Sequence, residues 1–264
     1  MCPLDTIVIN GGATLSGTVS TGGAKNSALP LLFATLLAGG EYRFHNVPLL
    51  RDIDSTMVLL KHLDYGIERD GNSLSIHAGD CGHLDAPYDI VRKMRASILC
   101  LGPLLARYGR AKVSLPGGCA IGTRPINLHI EALQQMGAEI EIDSGYVIAR
   151  AKRLHGACIV FENATVGGTE NLMLAATLAR GTTVLENAAK EPEIVDLAEC
   201  LVKMGARIEG AGSSVITIEG VDQLRPCSHT VIPDRIEAGT LLIAGAITGG
   251  DVRINDCIPG HIDA

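Results

Sequence analysis

The sequence predicts an α/β protein: an inside-out α/β barrel in which three pseudo-symmetric repeats pack their helices together inside a shell of sheets. Three observations carry this reading. A pattern of apolar helix, glycine, short strand, turn, second helix, glycine and β-hairpin recurs roughly every 70 residues along the chain. The first helices are apolar nearly all round, as in Leu29–Leu37 and Leu172–Leu178, which marks buried rather than surface helices. Alternating segments such as Glu139–Ile142 and Val215–Ile218 follow the second helices and read as half-buried strands.

The first helices are expected at Ser27–Ala38, Ser97–Arg107, Asn171–Arg180 and Gly239–Thr248. Each runs into a glycine, at Gly39, Gly109, Gly181 and Gly249, the residue that ends a helix in the left-handed conformation without strain. The second helices are expected at Asp52–Leu63, Pro125–Met136 and Glu193–Met204, each opening on an X-Ile-X pattern. Two of them end in Met-Gly-Ala, at Met136-Gly137-Ala138 and Met204-Gly205-Ala206. Asp64 stands in place of that glycine in the first repeat and is among the few other residues that tolerate a positive φ. A fourth unit reaches only His261-Ile262-Asp263, the first turn of its second helix, at the end of the sequence.

Composition narrows the function classes. Hydrophobic residues are 47% of the chain and charged residues 19%, enough for a sizeable core, while aromatics at 3% make that core aliphatic. A formal net charge of -7 argues against nucleic acid or an anionic membrane as the main partner, yet leaves room for a local cationic pocket. No run of apolar residues is long enough to span a bilayer, and Met1-Cys2-Pro3-Leu4-Asp5 does not resemble a signal peptide. The chain has 8 cysteines without a C-x-x-C pair, and its 8 histidines show no ligand spacing. A cytoplasmic setting with reduced thiols, no metal and no cofactor is expected.

One repeat departs from its siblings. The turn before the second helix takes six residues from Asn46 to Asp52, from Asn187 to Glu193 and from Asn255 to His261, but nine from Pro116 to Pro125. An insertion that the repeat itself does not need points to function. This loop, Pro116-Gly117-Gly118-Cys119-Ala120-Ile121-Gly122-Thr123-Arg124-Pro125, sets a thiol among glycines with a cation close behind. It also feeds a helix N-terminus, a natural anion site. A cysteine in a chain with eight is usually a small core residue; the loop sets Cys119 apart, and the other seven are read as structural.

That loop, followed by Leu128-His129, resembles the active-site loop of the enolpyruvyl transferase family acting on UDP-N-acetylglucosamine. Gly23-Ala24-Lys25-Asn26-Ser27-Ala28-Leu29-Pro30 resembles the family's N-terminal Gly-Ala-Lys-Asn motif. Met94-Arg95-Ala96-Ser97, Glu191-Pro192-Glu193-Ile194-Val195-Asp196 and Pro233-Asp234-Arg235-Ile236-Glu237 match as well, so the resemblance covers essentially the whole chain. It implies two similar domains: a catalytic one over residues 25–232, and a second to which residues 1–24 and 233–264 contribute incomplete segments. An aspartate and an arginine of the second domain would then lie beyond Ala264, so weak activity or none is expected of this chain alone.

The resemblance implies transfer of an enolpyruvyl group from phosphoenolpyruvate to the 3′-hydroxyl of UDP-N-acetylglucosamine, with release of phosphate. Binding two anionic groups in one small volume needs converging cations; Lys25, Arg95 and Arg124 are the candidates. Cys119 inherits the role of acid and of a site of covalent adduct formation. For the nucleotide sugar the resemblance implies Lys25, Asn26, Arg124, Pro125, Ile126, Asn127, Leu128, Thr165, Val166 and Gly167. Glu191, Asp234 and Arg235 are further candidates, and His129 is read as orienting the helix after the loop. Two positions depart from the family's pattern. Asn127 stands where an aspartate is usual, keeping an acceptor but losing the charge, and Asn163 stands where some members carry a basic residue. Two other readings stay open: the sister enolpyruvyl transferase acting on shikimate 3-phosphate, and a fragment that binds UDP-sugar without turnover.

Overall fold

A computed structural model describes residues 6–91, 94–115 and 126–263. The chain divides into two compact units, residues 23–232 and residues 1–22 with 233–264. In chain order the elements are β1 (Ser16–Ser20), α1 (Lys25–Ala34), β2 (Gly40–His45), α2 (Arg51–His62), β3 (Gly66–Asp70), β4 (Ser73–Ala78), β5 (Asp85–Ala86), α3 (Tyr88–Val91), α4 (Leu101–Tyr108), β6 (Arg110–Ser114), α5 (Asn127–Gln135), β7 (Glu139–Asp143), β8 (Tyr146–Arg150), β9 (Cys158–Val160), α6 (Val166–Ala176), β10 (Thr182–Glu186), α7 (Pro192–Met204), β11 (Arg207–Glu209), β12 (Val215–Glu219), β13 (Ser228–Thr230), α8 (Arg235–Ile247) and β14 (Asp251–Asn255). Short 3-10 helices cover Thr35–Leu37, Arg95–Cys100 and Pro259–His261.

Three four-stranded sheets wall the larger unit: β13-β2-β4-β3, β5-β6-β8-β7 and β9-β10-β12-β11. In each, three antiparallel strands come from one repeat. The fourth, short strand runs parallel to that repeat's first strand and comes from the preceding stretch of chain: β5 beside β6, and β9 beside β10. In the third instance the preceding stretch is the end of the unit, so Ser228–Thr230 pairs with Arg43–His45 and the ring of sheets closes. Pairing on that side leaves β2 no open edge there.

Inside the wall lie helices with no polar face. Every residue of α1 from Ser27 to Ala34 is buried, as is every residue of α6 from Gly168 to Ala176. Helix α6 touches α1, α4, α5 and α7. Its approach to α4 depends on Gly102: a Cβ there would come within 2.5 Å of the Asn171 carbonyl oxygen. Leu, Ile, Val and Ala fill most of the core, with Phe33, Tyr42 and Phe44 as its largest fully buried side chains.

Several boundaries differ from the sequence reading. Helices α1, α6 and α8 start at Lys25, Val166 and Arg235, ahead of Ser27, Asn171 and Gly239. Their first turns, polar in α1, mixed in α8 and glycine-rich in α6, read as loop, yet such residues suit the unpaired amides of a helix start. The first helix of the second repeat opens as a 3-10 helix from Arg95 and becomes α-helical at Leu101. Gly109, Gly181, Gly249 and Asp64 do take positive φ. In the first repeat Gly40 does so instead of Gly39, because the 3-10 turn after α1 carries the chain on to an extended Ala38. The left-handed turn residues are Asn46, Asn187 and Asp256, so the fourth turn pivots one residue later than Asn255.

The smaller unit pairs β1 with β14 in parallel, Ser16 opposite Asp251 through Ser20 opposite Asn255. Helix α8 packs on β14, and the Asp234 side chain caps it, accepting from the Ile236 and Glu237 amides at 2.8 and 3.1 Å. Only Ala238 and Gly245 of α8 are buried.

Candidate active site

The starts of successive helices meet at one place in the larger unit. A cavity of about 480 Å³ is lined by Asn26, Leu29 and Pro30 of α1, Ala96, Ile98 and Leu99 of the 3-10 helix, Ile126 and His129 around the start of α5, and Ala164 to Gly167 with Glu170 of α6. That volume lies within the range of small-molecule sites. Pro30, inside α1, cannot donate to the Asn26 carbonyl, which therefore lacks its usual helical partner beside the cavity.

The start of α6 is built for an anion. Thr165 caps it, its hydroxyl accepting from the Gly168 amide at 3.3 Å. Gly168 must be glycine, since a Cβ would strike the Thr165 side chain and sit 3.3 Å from the Phe161 ring. The Val166 and Gly167 amides have no acceptor among the described residues. Free amides at the positive end of a helix dipole are a phosphate site.

His129 and Asn171 hold α5 to α6. The Gly102 amide donates to Asn171 Oδ1 at 2.9 Å, which turns the Asn171 Nδ2 toward His129 Nδ1 at 3.0 Å. His129 must therefore accept at Nδ1 and keep its proton at Nε2. Burial pushes its pKa down to about 4. Protonating Nδ1 would also set two donors face to face. The expected orienting role of His129 has a concrete form here, through a partner on α6 that sequence reading did not name.

A second buried network seats α1. Asp196 of α7 accepts from the Ser27 hydroxyl and from His229 Nε2, the latter at 2.8 Å, while Lys203 Nζ lies 2.9 Å from His229 Nδ1. Ser27 follows Asn26, so the network fixes the turn that lines the cavity. Lys25 at the head of α1 pairs with Asp52 in the first turn of α2 at 3.1 Å, with both side chains more than a third exposed.

The remaining sequence candidates fall as follows. Asn127 is exposed and Leu128 half-buried at the start of α5, and neither lines the cavity. Glu191 precedes α7 and accepts from the Lys190 amide at 2.9 Å. Asp234 and Arg235 belong to the smaller unit. Cys119, Arg124 and Pro125 lie outside the described residues, as does the side chain of Arg95, so the expected convergence of Lys25, Arg95 and Arg124 is not described either. Of the cysteines read as structural, Cys100 and Cys200 are buried, but Cys158 is exposed on β9. Cys227 is half-buried with its sulfur 3.6 Å from that of Cys200. The hydrogen bond from Cys200, with His229 and Lys203 nearby, draws the Cys227 thiol down to about 7 against the opposing effect of burial.

Glu170 was missed. It is buried, its Oε1 has no hydrogen-bond partner among the described residues, and it lines the cavity. Burial, then the charges of Glu193 and Glu191, hold its carboxyl well above the usual carboxylate range. The available signal was a polar pair, Glu170-Asn171, inside a helix apolar on every other side.

A second cleft of about 450 Å³ lies at the opposite, C-terminal ends of the same helices, lined by Arg107, Lys152, Arg153 and Asp222 among others. Two of its cations are committed: Arg107 to Asp80 at 3.2 Å and to the Leu36 carbonyl, Arg153 to Asp222 at 3.0 Å. It satisfies helix C-termini, whereas the first cavity presents unpaired donors.

Known proteins resemble this chain in sequence and fold. The chain is 57% identical over 258 residues to a UDP-N-acetylglucosamine 1-carboxyvinyltransferase of Bdellovibrio bacteriovorus, covering 98% of this chain and 62% of that protein. It is 56% identical over 261 residues to the one of Geobacter metallireducens, covering 99% and 63%. The chain thus spans less than two thirds of the length of these curated relatives. Among solved structures, the enolpyruvyl transferase NikO from Streptomyces tendae matches with a TM-score of 0.81 at 26% identity, over 93% of this chain and 59% of that one. EPSP synthase from Acinetobacter baumannii matches with a TM-score of 0.76 at 19% identity, over 94% and 57%, a likeness of fold alone. The family model for EPSP synthase (3-phosphoshikimate 1-carboxyvinyltransferase) fits residues 9–264, and the chain belongs to that family.

Proposed function

We propose that this chain carries the substrate-binding part of an enzyme that moves the enolpyruvyl group of phosphoenolpyruvate onto the 3′-hydroxyl of UDP-N-acetylglucosamine. In that reaction the 3′-hydroxyl gives up its proton to a base as its oxygen bonds to carbon 2 of phosphoenolpyruvate, while carbon 3 takes a proton from an acid. Carbon 3 then returns a proton as the bond from carbon 2 to phosphate breaks. The product is a precursor for peptidoglycan, and a cytoplasmic location follows from where nucleotide sugars are used.

The observation that carries the reading is the cavity at the helix starts, lined by Asn26, Ile126, Thr165, Val166 and Gly167. Phosphates fit the α6 amides, and the Asn26 side chain offers both a donor and an acceptor. Residues 23–232 form the catalytic unit in this reading. Lys25, Arg95 and Arg124 bind the two anionic groups of phosphoenolpyruvate; Pro125, Asn127 and Leu128 approach the base; Cys119 delivers the proton to carbon 3. Glu191, Asp234 and Arg235 contribute at the margins.

Calorimetry with the purified chain tests the binding half: UDP-N-acetylglucosamine should bind and shikimate 3-phosphate should not. The reverse preference would assign the site to the sister reaction, and binding of neither would overturn the proposal. Phosphate release with both substrates then measures turnover separately. The thiol assignment has its own test in limiting treatment with iodoacetamide. Peptide mapping should find Cys119 labelled first and Cys227 next, ahead of the buried Cys100 and Cys200. An unmodified Cys119 beside a labelled Cys227 would remove Cys119 from its role.

A further inference from the structure

A carboxyl group with no partner is costly to bury, and native proteins rarely leave one so without a reason. Glu170 is 4% exposed, and its Oε1 is buried with no hydrogen-bond partner among the described residues. The cavity that it lines has no lysine or arginine among its described lining residues to compensate it. Nothing in the fold asks for an acid there, since the rest of α6 from Leu172 to Ala176 is apolar.

Its place along the helix narrows the ligand. Glu170 lies three and four residues beyond Gly167 and Val166, on the same helical face. One turn is about 5.4 Å, so the carboxyl meets a group one step away from whatever the two amides hold. That group is not a phosphate, because Glu191 and Glu193 already add negative charge around Glu170. Burial favours the protonated carboxyl, and in that form the side chain has one O–H to donate and a carbonyl to accept. Such a pair suits a hydroxyl or an amide N–H.

We propose that Glu170 is a specificity residue that exchanges hydrogen bonds with an uncharged hydroxyl or amide of the sugar next to the phosphates of a nucleoside-diphosphate sugar. This rests on the cavity binding such a ligand, as proposed above. The ligand supplies the partner that the protein lacks.

The experiment compares binding of UDP-N-acetylglucosamine and of UDP to wild type, Glu170→Gln and Glu170→Leu by calorimetry, with thermal melts of each protein. Leaving a ligand group unpaired in the cavity costs roughly five- to a hundredfold in binding. Glu170→Leu should therefore weaken UDP-N-acetylglucosamine by about tenfold or more while UDP stays within about threefold. Glu170→Gln, which keeps a donor and an acceptor, should stay near wild type for both. Glu170→Leu should also melt higher than wild type without ligand, because an unpaired buried polar group is replaced by an apolar one. A role in the fold alone would lower the melt and leave the ratio of the two affinities unchanged, and that result overturns the proposal. So does an unchanged ratio with any melt, which would mean that Glu170 holds a water. If Glu170→Leu does not fold, Glu170→Asp, which draws the carboxyl back by one methylene, must lower the same ratio or the proposal fails. Wild type binding neither ligand would instead sink the functional reading beneath it.

Discussion

Helices α6 and α8 occupy the same place in their repeats, are both rich in small and aliphatic residues, and share almost nothing in burial. Helix α6 is enclosed from Gly168 to Ala176, whereas α8 buries Ala238 and Gly245 and leaves Ile243 67% and Ile247 81% exposed. The difference does not come from composition. Helix α6 has α1, α4, α5 and α7 around it, three repeats closing on one another. Helix α8 rests on β14. An all-round apolar pattern states what a helix requires of its neighbours, and the number of repeats packed with it decides whether the requirement is met.

Truncating one large aliphatic side chain in each helix should show the contrast most sharply. Leu172→Ala in α6 should cost about 2–5 kcal/mol in urea unfolding, the usual range for an enclosed leucine. Ile243→Ala in α8 should cost under about 0.5 kcal/mol. Equal losses would mean that α8 is as enclosed as α6.

Acid should act on the larger unit through His129. Its folded pKa is lowered to about 4 from an ordinary value near 6.5, so below pH 6.5 the unfolded chain takes up the proton first. Stability is lost as pH falls from about 6.5 toward 4, by on the order of 3 kcal/mol. Glu170 acts oppositely: its raised pKa contributes stability that is full below the ordinary carboxylate value and fades as pH rises. Chemical denaturation across this window should show a shallow slope in wild type, a steeper acid loss in Glu170→Leu, and a flat or reversed slope in His129→Gln. An unchanged slope in His129→Gln would mean that His129 titrates normally.

The caps give the finest comparison. Thr165→Ala should lower global stability by about 1 kcal/mol, because α6 unfolds with the whole ring. Asp234→Ala should cost a similar amount, but as faster amide exchange confined to α8 and β14. Loss of protection in β2 or β10 on cutting the Asp234 cap would show that the two units unfold together.

Much of this fold was legible because repeats give several looks at each element. Asp64 was placed in a left-handed turn by its position under two glycines. Gly109 and Gly181 were placed by following apolar helices. The starts of α1 and α6 were not legible, because polar Lys25-Asn26 and glycine-rich Val166-Gly167-Gly168, followed by polar Thr169-Glu170, look like loops. That error hid Glu170, which became notable only once it stood inside a buried helix. The partners of His129 and Ser27, Asn171 and Asp196, are distant in sequence and carry no local pattern. The Cys200–Cys227 approach is of the same kind, set by where β13 returns to β2.

That return has a topological consequence. The Ala24 amide donates to the Ile232 carbonyl at 2.8 Å, so the two ends of the larger unit are held together at the point where β13 meets the first sheet. With each sheet borrowing one strand from the stretch before it, the unit is a cycle of three modules, and the break at residues 23 and 232 is arbitrary to its architecture. A circular permutant that joins 232 to 23 and opens in the β7–β8 turn at Ser144-Gly145, an exposed tight turn, would retain every sheet pairing. The same adjacency explains how this unit can stand as an insertion between residues 22 and 233: a domain whose ends touch interrupts its host at a single point.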